Sequence, residues 1–172
     1  GQGGTTWGLE VTTSNTLRYW DQAAPYINLY FDEINVCTGP WMLISVVRDR
    51  AAGAVKAYIN GELKGEQSVS GFGDAQLTNW LCFGSDYHSN PIYLNGEIRA
   101  VRMWSDVRTA EEIETYYTKE IDGSEDGLAH AWDFSDAGED VNSDTEFADL
   151  VSGGIPVKAV GYPTSFQEAT DE

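Results

Sequence analysis

The chain has 172 residues, 41% of them hydrophobic, and carries 10 Lys and Arg against 28 Asp and Glu, a formal net charge of -18. This length suits one compact domain better than two, so we expect a single domain over residues 1–172. The acidic charge repels nucleic acid phosphates and anionic lipid headgroups, which argues against a nucleic acid partner. Runs of about 18 or more apolar residues are missing, so we expect no membrane insertion.

The composition favours strands over long helices. Eighteen glycines, nine tyrosines and six tryptophans supply turns and aromatic residues, a balance typical of all-β proteins. Cys37 and Cys82 are too few for a disulfide scaffold, and their spacing fits no zinc site. Their neighbours favour two buried thiols, with a mutual disulfide as the alternative.

Short segments rich in β-branched and aromatic residues recur about every ten residues, the spacing of a β-sandwich. The dipeptide Asn60-Gly61 predicts a type I′ hairpin because it tolerates positive φ, and Asn95-Gly96 is a second such dipeptide. The predicted strands are Gly8 to Thr13, Tyr26 to Phe31, Trp41 to Arg48, Ala54 to Asn60, a return strand from Glu62, Leu77 to Phe83, Ile92 to Leu94, Glu97 to Trp104, Leu128 to Phe134 and Ile155 to Val160.

A single short helix is predicted at residues 109–119. Thr109 and Glu112 form the pattern of a capping box, in which each side chain accepts a hydrogen bond from the other residue's backbone N–H. The acidic residues of the first turn also suit the helix dipole. Residues 167–172 are expected to form an acidic tail.

This order of segments resembles the laminin-G-like, concanavalin A-like domains of bacterial extracellular proteins. The resemblance covers roughly residues 41–134, and such domains usually open with more strand material than precedes Trp7. Either the first strands are shortened here, or the sequence begins inside a longer chain. The matching segments are WMLISVVRD (Trp41 to Asp49), VKAYINGEL (Val55 to Leu63), LCFGSD (Leu81 to Asp86), LNGEIRAVRMWSDVRTAEEI (Leu94 to Ile113) and GLAHAWDF (Gly127 to Phe134).

The resemblance implies a two-sheet antiparallel jelly roll in a secreted, periplasmic or cell-surface protein, where the domain binds an oligo- or polysaccharide or accompanies a glycosidase. Other domains of a longer chain would be its neighbours. A fold of this kind also supports glucanases and adhesion modules, so the candidate sites must decide the function.

The strongest catalytic candidate is the segment from Glu120 to Glu125, which has the E-x-D-x-x-E spacing of laminarinase-like glucanases with this fold. In those enzymes the first glutamate is the nucleophile and the last is the general acid, and retention requires carboxyl groups about 5 Å apart. Here the segment follows a helix and contains Asp-Gly-Ser, which predicts a solvated turn. We therefore expect no catalytic residues, with a glycosidase kept as an alternative.

Aromatic rings and a polar loop are the candidate ligand contacts. Trp20, Tyr26 and Tyr87 are candidates for stacking on a sugar ring, whereas Trp41, Trp104 and Trp132 lie on the family pattern and are expected in the core. His130 is expected to be structural.

The loop from Gly84 to Pro91 also combines a carboxylate, an amide and an imidazole. Its candidate ligand residues are Asp86, Tyr87, His88 and Asn90, and a structural calcium ion would use Asp86 and Asn90 with partners from another loop. An adhesion or purely structural domain is the remaining alternative, in which no glycan binds.

Overall fold

The computed structural model describes residues 7–21, 26–31, 40–73, 81–84, 93–135, 141 and 144–159. Within these residues the chain forms antiparallel β-sheets and one short helix, the fold class that the sequence predicts. The elements are β1 Trp7–Val11, β2 Leu17–Asp21, β3 Ile27–Phe31, β4 Ile44–Asp49, β5 Ala54–Ile59, β6 Glu62–Ser68, β7 Ala100–Trp104, α1 Ala110–Tyr117, β8 Leu128–Asp133, β9 Glu146–Phe147 and β10 Val157–Lys158.

The chain divides into two compact units, residues 1–95 with 107–119 and residues 96–106 with 120–172. The first unit contains the three-stranded sheets β1-β2-β3 and β4-β5-β6, whose buried side chains share one hydrophobic core. That core explains the pairing of the two sheets, because each sheet has one apolar face to remove from water. Its buried members are Leu17, Tyr19, Ile27, Phe31, Val55, Ala57 and Phe72.

The opposite face of the second sheet is covered by α1. Ile113 of the helix is buried with Val47 of β4 and Tyr58 of β5. The helix begins with the predicted capping box: Thr109 N donates to Glu112 Oε2 at 2.8 Å, and Glu112 N donates to Thr109 Oγ1 at 3.2 Å. Its last residue is Tyr117 rather than the expected Lys119.

The hairpin between β5 and β6 forms as predicted. Asn60 and Gly61 both have positive φ, 51° and 84°, as a type I′ turn requires. A Cβ on Gly61 would lie 2.8 Å from the Glu114 Cα, so the helix backbone can approach the turn only because residue 61 is glycine.

A charged pair lies inside the first unit. Asp21 at the end of β2 is fully buried, and its Oδ2 accepts a hydrogen bond from Arg48 Nε of β4 at 3.1 Å. The Arg48 guanidinium also lies 4.6 Å from the centre of the Phe72 ring. Tyr19 donates to Asp21 at 3.4 Å; burial raises the pKa of Tyr19 to about 12, and the carboxylate acts in the same direction. The pair therefore links one sheet to the other through a buried ionic contact.

Replacing Asp21 by Ala should lower the free energy of unfolding by about 3–4 kcal/mol, because a partly buried guanidinium loses its carboxylate. Urea unfolding followed by tryptophan fluorescence measures the loss. The matched control is Glu62→Ala, which breaks the exposed 2.6 Å pair with Lys64 and should cost about 0–1 kcal/mol. Equal losses in the two variants would contradict the importance of the buried pair.

The second unit contains the paired strands β7-β8 and the short pair β9-β10. Trp132 of β8 is 2% exposed, and its indole Nε1 donates to the Ile155 carbonyl at 2.9 Å. Phe134 packs edge-on against Phe147 of β9, with ring centres 4.9 Å apart. Trp132 and Phe134 are buried in this unit together with Leu128 and Ala131, so Trp132 lies in a core as the sequence predicts.

Asp149 organises the segment that follows β9. Its side chain is 1% exposed and accepts four hydrogen bonds, from the backbone N–H groups of Ala131, Val151 and Ile155 at 3.0, 3.0 and 3.2 Å and from His130 Nδ1 at 2.6 Å. Burial favours the protonated carboxyl, but the hydrogen bonds outweigh it and hold the pKa of Asp149 below its usual value. The carboxylate thus stabilises the turn in its ionised form.

The Asp149→Asn variant should lose about 2–3 kcal/mol at pH 7, because an amide cannot accept all four hydrogen bonds. Since the folded pKa is depressed, this contribution is present above the unfolded value near 4 and disappears as the pH falls through the folded pKa. Hydrogen exchange of the Ala131, Val151 and Ile155 amides at pH 7, 5 and 3 measures it. Glu146→Gln, which breaks an exposed 2.8 Å pair with Lys158, is the control. A pH-independent difference would contradict this account.

Several predictions about segments are wrong. The residues Leu81 to Phe83 are not in a strand, and Glu97 to Arg99 precede β7 rather than belonging to it. Neither Asn95 nor Gly96 has positive φ, and β7 pairs with β8, so a hairpin does not form at this dipeptide. The last strand is only Val157–Lys158. Strands β2 and β9 were not predicted, because Arg18, Asp21 and Glu146 mask their β-branched and aromatic content.

Two predictions about burial are also wrong. Trp41 is 42% exposed and lies before β4 begins, so it is not in the core, and Trp104 is only partly buried. Cys82 is exposed rather than buried. Trp41 lies before the paired residues of β4, and Cys82 lies in no strand, so an apolar run by itself does not place a side chain in the core. Cys37 and the predicted tail lie outside the described residues.

Candidate functional site

The sheet β1-β2-β3 has one buried face and one polar, aromatic face. Its register aligns Gly8, Trp20 and Asn28 in one row across the three strands, and Glu10, Arg18 and Tyr30 in the next. Since side chains alternate along a strand, these rows share the face opposite to Leu17, Tyr19 and Asp21, which are buried. We call the six residues of these two rows the outer face.

Trp20 is fixed against the backbone of its neighbouring strand. A Cβ on Gly8 would lie 2.6 Å from three atoms of the indole, Cε2, Cζ2 and Nε1, so the ring occupies the space above the glycine. The side chain remains partly exposed. Glycine at this position therefore sets the orientation of a large aromatic ring at the surface.

Arg18 is the centre of a hydrogen-bonded row beside that ring. Its Nη1 donates to Glu10 Oε1 at 2.7 Å, and its Nε donates to Asn28 Oδ1 at 2.7 Å. The guanidinium carbon lies 5.5 Å from the centre of the Tyr30 ring, within the range of a cation–π contact. The hydrogen bond with Glu10 is the main cause that raises the pKa of Arg18, and Tyr30 and Tyr26 contribute further.

Tyr30 and Tyr26 extend the aromatic surface of this sheet. Tyr30 is 44% exposed, and its carbonyl accepts a 2.6 Å hydrogen bond from Gln67 Nε2 of β6, which ties the edge strand β3 to the second sheet. Tyr26, immediately before β3, is 59% exposed. The outer face with Tyr26 thus presents apolar rings next to hydrogen-bond donors and acceptors, an arrangement that suits an amphipathic ligand.

Comparison with known proteins places the chain in a family. The family model Laminin_G_3, described as the concanavalin A-like lectin/glucanases superfamily, matches residues 1–114. The chain belongs to this family. The match includes the outer face and ends within α1. It therefore begins nearer the N-terminus than the resemblance found over residues 41–134, and it also ends earlier. It also bears out the antiparallel fold class expected for such a domain.

One solved structure is a more distant match to this concanavalin A-like chain. It is an S-layer domain-containing protein from Clostridium thermocellum, with 15% sequence identity and a TM-score of 0.40. The match covers 69% of this chain and 66% of that one. A search of curated proteins found no match.

Two of the predicted ligand residues of this concanavalin A-like domain lie in the described part of the chain: Trp20 is on β2, and Tyr26 immediately precedes β3. The other four, Asp86, Tyr87, His88 and Asn90, lie outside the described residues, as does the calcium site expected there. Groups of three or more His, Cys, Asp or Glu side chains suited to a metal are absent from the described part of the chain.

Glu10, Arg18, Asn28 and Tyr30 were not predicted as candidate ligand residues. The signal that could have found them is the alternation in LRYWD and INLYF, where polar or aromatic side chains at every second position define one face. Without the pairing of β2 with both neighbours, however, sequence does not place them beside Trp20.

The glucanase-like segment, residues 120–125, forms hydrogen bonds within its own turn. Glu125 accepts hydrogen bonds from the backbone N–H groups of Asp122 and Gly123 at 3.2 and 3.1 Å. Asp122 Oδ1 accepts from Ser124 N and Oγ at 2.9 and 2.6 Å. These contacts confirm the predicted turn, since residues 120–125 belong to no strand and Glu125 is used inside its own loop.

His130 has the structural role expected of it in this domain. Its ring stacks on Trp132, with ring centres 5.4 Å apart and planes inclined by 10°, while Nδ1 contacts Asp149.

In the described part of the chain, no helix has the length and hydropathy needed to span a bilayer.

The Gly8→Ala substitution should displace the Trp20 indole, because the new methyl group would lie inside its contact distance. We expect a loss of about 1–3 kcal/mol in the free energy of unfolding. A double-mutant cycle with Trp20→Ala measures the coupling free energy between residues 8 and 20. We expect it to exceed about 1 kcal/mol, because in the Trp20→Ala background the new methyl group meets no indole ring. Purely additive losses would show that Gly8 does not set the position of Trp20.

Proposed function

We propose that this domain is a non-catalytic carbohydrate-recognition module that binds an oligo- or polysaccharide on the outer face. The observation that carries the proposal is the partly exposed Trp20 ring, held on Gly8, with the Arg18, Asn28 and Glu10 row beside it. Two further exposed rings belong to Tyr30 of β3 and to Tyr26, the residue before β3.

A sugar ring has an apolar C–H face and a rim of hydroxyl groups, so it needs both kinds of contact at once. Aromatic rings supply the first, and side-chain amides, guanidinium groups and carboxylates supply the second. The outer face offers all of these from regular strands, whose paired backbones keep the groups in place before a ligand arrives. This pre-arrangement supports glycan binding over a featureless structural surface.

The non-catalytic reading is supported by Glu125. Its carboxylate accepts two backbone hydrogen bonds from its own turn, which fixes it locally instead of directing it toward a glutamate partner. Retaining hydrolysis requires two carboxyl groups about 5 Å apart across a scissile bond. The glycosidase alternative predicts that the Glu120→Gln and Glu125→Gln changes together abolish turnover.

The setting we propose is a secreted or cell-surface bacterial protein in which this domain is one part of a longer chain. An excess of acidic residues suits a surface that must stay soluble among other macromolecules. A structural calcium ion held by Asp86 and Asn90 belongs to the same proposal.

The Trp20→Ala and Tyr30→Ala variants should each lose about tenfold or more in glycan affinity, equivalent to about 1.4 kcal/mol. The ligand is first found on a glycan array, and the affinities are then measured by isothermal titration calorimetry. Tyr117→Ala is the matched control, because Tyr117 is an aromatic residue about as exposed as Tyr30 but lies on α1 rather than on this sheet. Unchanged affinity in both site variants would overturn the assignment of the site.

The array is run with calcium and again with excess chelator. Loss of binding under chelator supports the calcium proposal, and unchanged binding removes it. Silence of the wild-type domain on every glycan under both conditions overturns carbohydrate recognition and favours the adhesion or structural alternative.

A further inference from the structure

We infer that the outer face selects uncharged glycans, with Glu10 as the specificity-determining residue that neutralises Arg18 and disfavours acidic sugars. The inference rests on the proposed function and names the ligand class of the same site. It starts from the fact that the cation on this face is already paired, at 2.7 Å, with a carboxylate from the adjacent strand.

Arg18 is oriented by its contacts but retains capacity for a ligand. Two of its five N–H groups donate to Glu10 and Asn28. The side chain is 23% exposed, so the other N–H groups can donate to sugar hydroxyl oxygens. Because Asn28 uses its oxygen to accept from Arg18, its NH2 group is the part of the amide left to donate.

Glu10 supplies the acceptor of the same row. Its side chain is 42% exposed, and the salt bridge uses Oε1, which leaves Oε2 to accept a hydrogen bond from a hydroxyl group. Two adjacent hydroxyl groups of a sugar match this pair, because one can accept a hydrogen bond from Arg18 while the other donates one to Glu10. A carboxylate or sulfate group on a sugar can only accept hydrogen bonds. It would therefore compete with the Glu10 carboxylate for Arg18, and the negative charge of Glu10 would repel it.

The charge of the whole chain acts in the same direction. A formal net charge of -18 gives a field that repels anionic polysaccharides, and the outer face has no surplus positive charge to compensate. An unpaired arginine at this position would have favoured acidic glycans, since guanidinium groups bind carboxylates in a bidentate manner. The Glu10 pair removes that preference.

The test compares wild type with Glu10→Gln on two panels. One panel holds neutral gluco-, manno-, galacto- and xylo-hexasaccharides, and the other holds oligogalacturonates and heparin fragments of matched length. Wild type should bind a neutral member at least about tenfold tighter than any acidic one. The variant should shift this ratio toward acidic glycans by about tenfold, and salt should weaken the gain.

The matched control is Glu62→Gln, which removes the same charge from the exposed pair with Lys64 on β6. It should leave the ratio unchanged, because the same change in net charge then falls outside the outer face. Arg18→Gln is the second variant; it should weaken neutral binding and gain no acidic binding. Melting temperatures confirm that all the variants are folded.

Wild-type binding that prefers acidic glycans overturns this inference while leaving carbohydrate recognition in place. A shift in Glu10→Gln no larger than that in Glu62→Gln does the same. Silence of wild type and all variants on both panels overturns the proposed function itself, and the inference with it.

Discussion

The alternation of side chains along β2 is the constraint on which the first unit depends. Leu17, Tyr19 and Asp21 point into the core, so Arg18 and Trp20 must point to the opposite face. A register slip of one residue would exchange the two sets. Two contacts oppose such a slip: Asp21 would lose Arg48 inside the core, and Trp20 would lose the space above Gly8. The core and the candidate site are therefore specified by the same pairing.

The two sheets of this unit differ in what covers their outward sides. The sheet β4-β5-β6 has Ile113 of α1 packed against Val47 and Tyr58, which buries these two side chains. The sheet β1-β2-β3 instead presents Trp20, Arg18 and Tyr30, which are partly or largely exposed. A sheet face with aromatic residues at the surface costs free energy unless a ligand uses it, which is why we place recognition there.

Several charged side chains of this acidic protein form ion pairs or hydrogen bonds with a nearby partner. Arg18 pairs with Glu10, Arg48 with the buried Asp21, and His130 contacts Asp149. Asp21 and Asp149 both have buried carboxylates but differ in their partners. Asp21 receives a guanidinium and a tyrosine hydroxyl, whereas Asp149 receives three backbone N–H groups and an imidazole. In each case burial of the charge is tolerated because hydrogen bonds replace water.

Sequence by itself determined the all-β class, the type I′ turn at Asn60-Gly61, the capping box of α1 and the turn of the glucanase-like segment. These features depend on neighbours within a few residues, so local chemistry decides them. The sequence also indicated Trp20 and Tyr26 as candidate ligand residues, which stays a prediction, and it was wrong to place Trp41 in the core.

Only the tertiary structure decided that Glu10, Arg18, Asn28 and Tyr30 join Trp20, and that β7 pairs with β8 rather than closing a hairpin at Asn95-Gly96. The physical reason is that strand pairing and burial are long-range choices. Residues far apart in the chain, such as Ala100 and Asp133, become neighbours through a register that the buried faces impose.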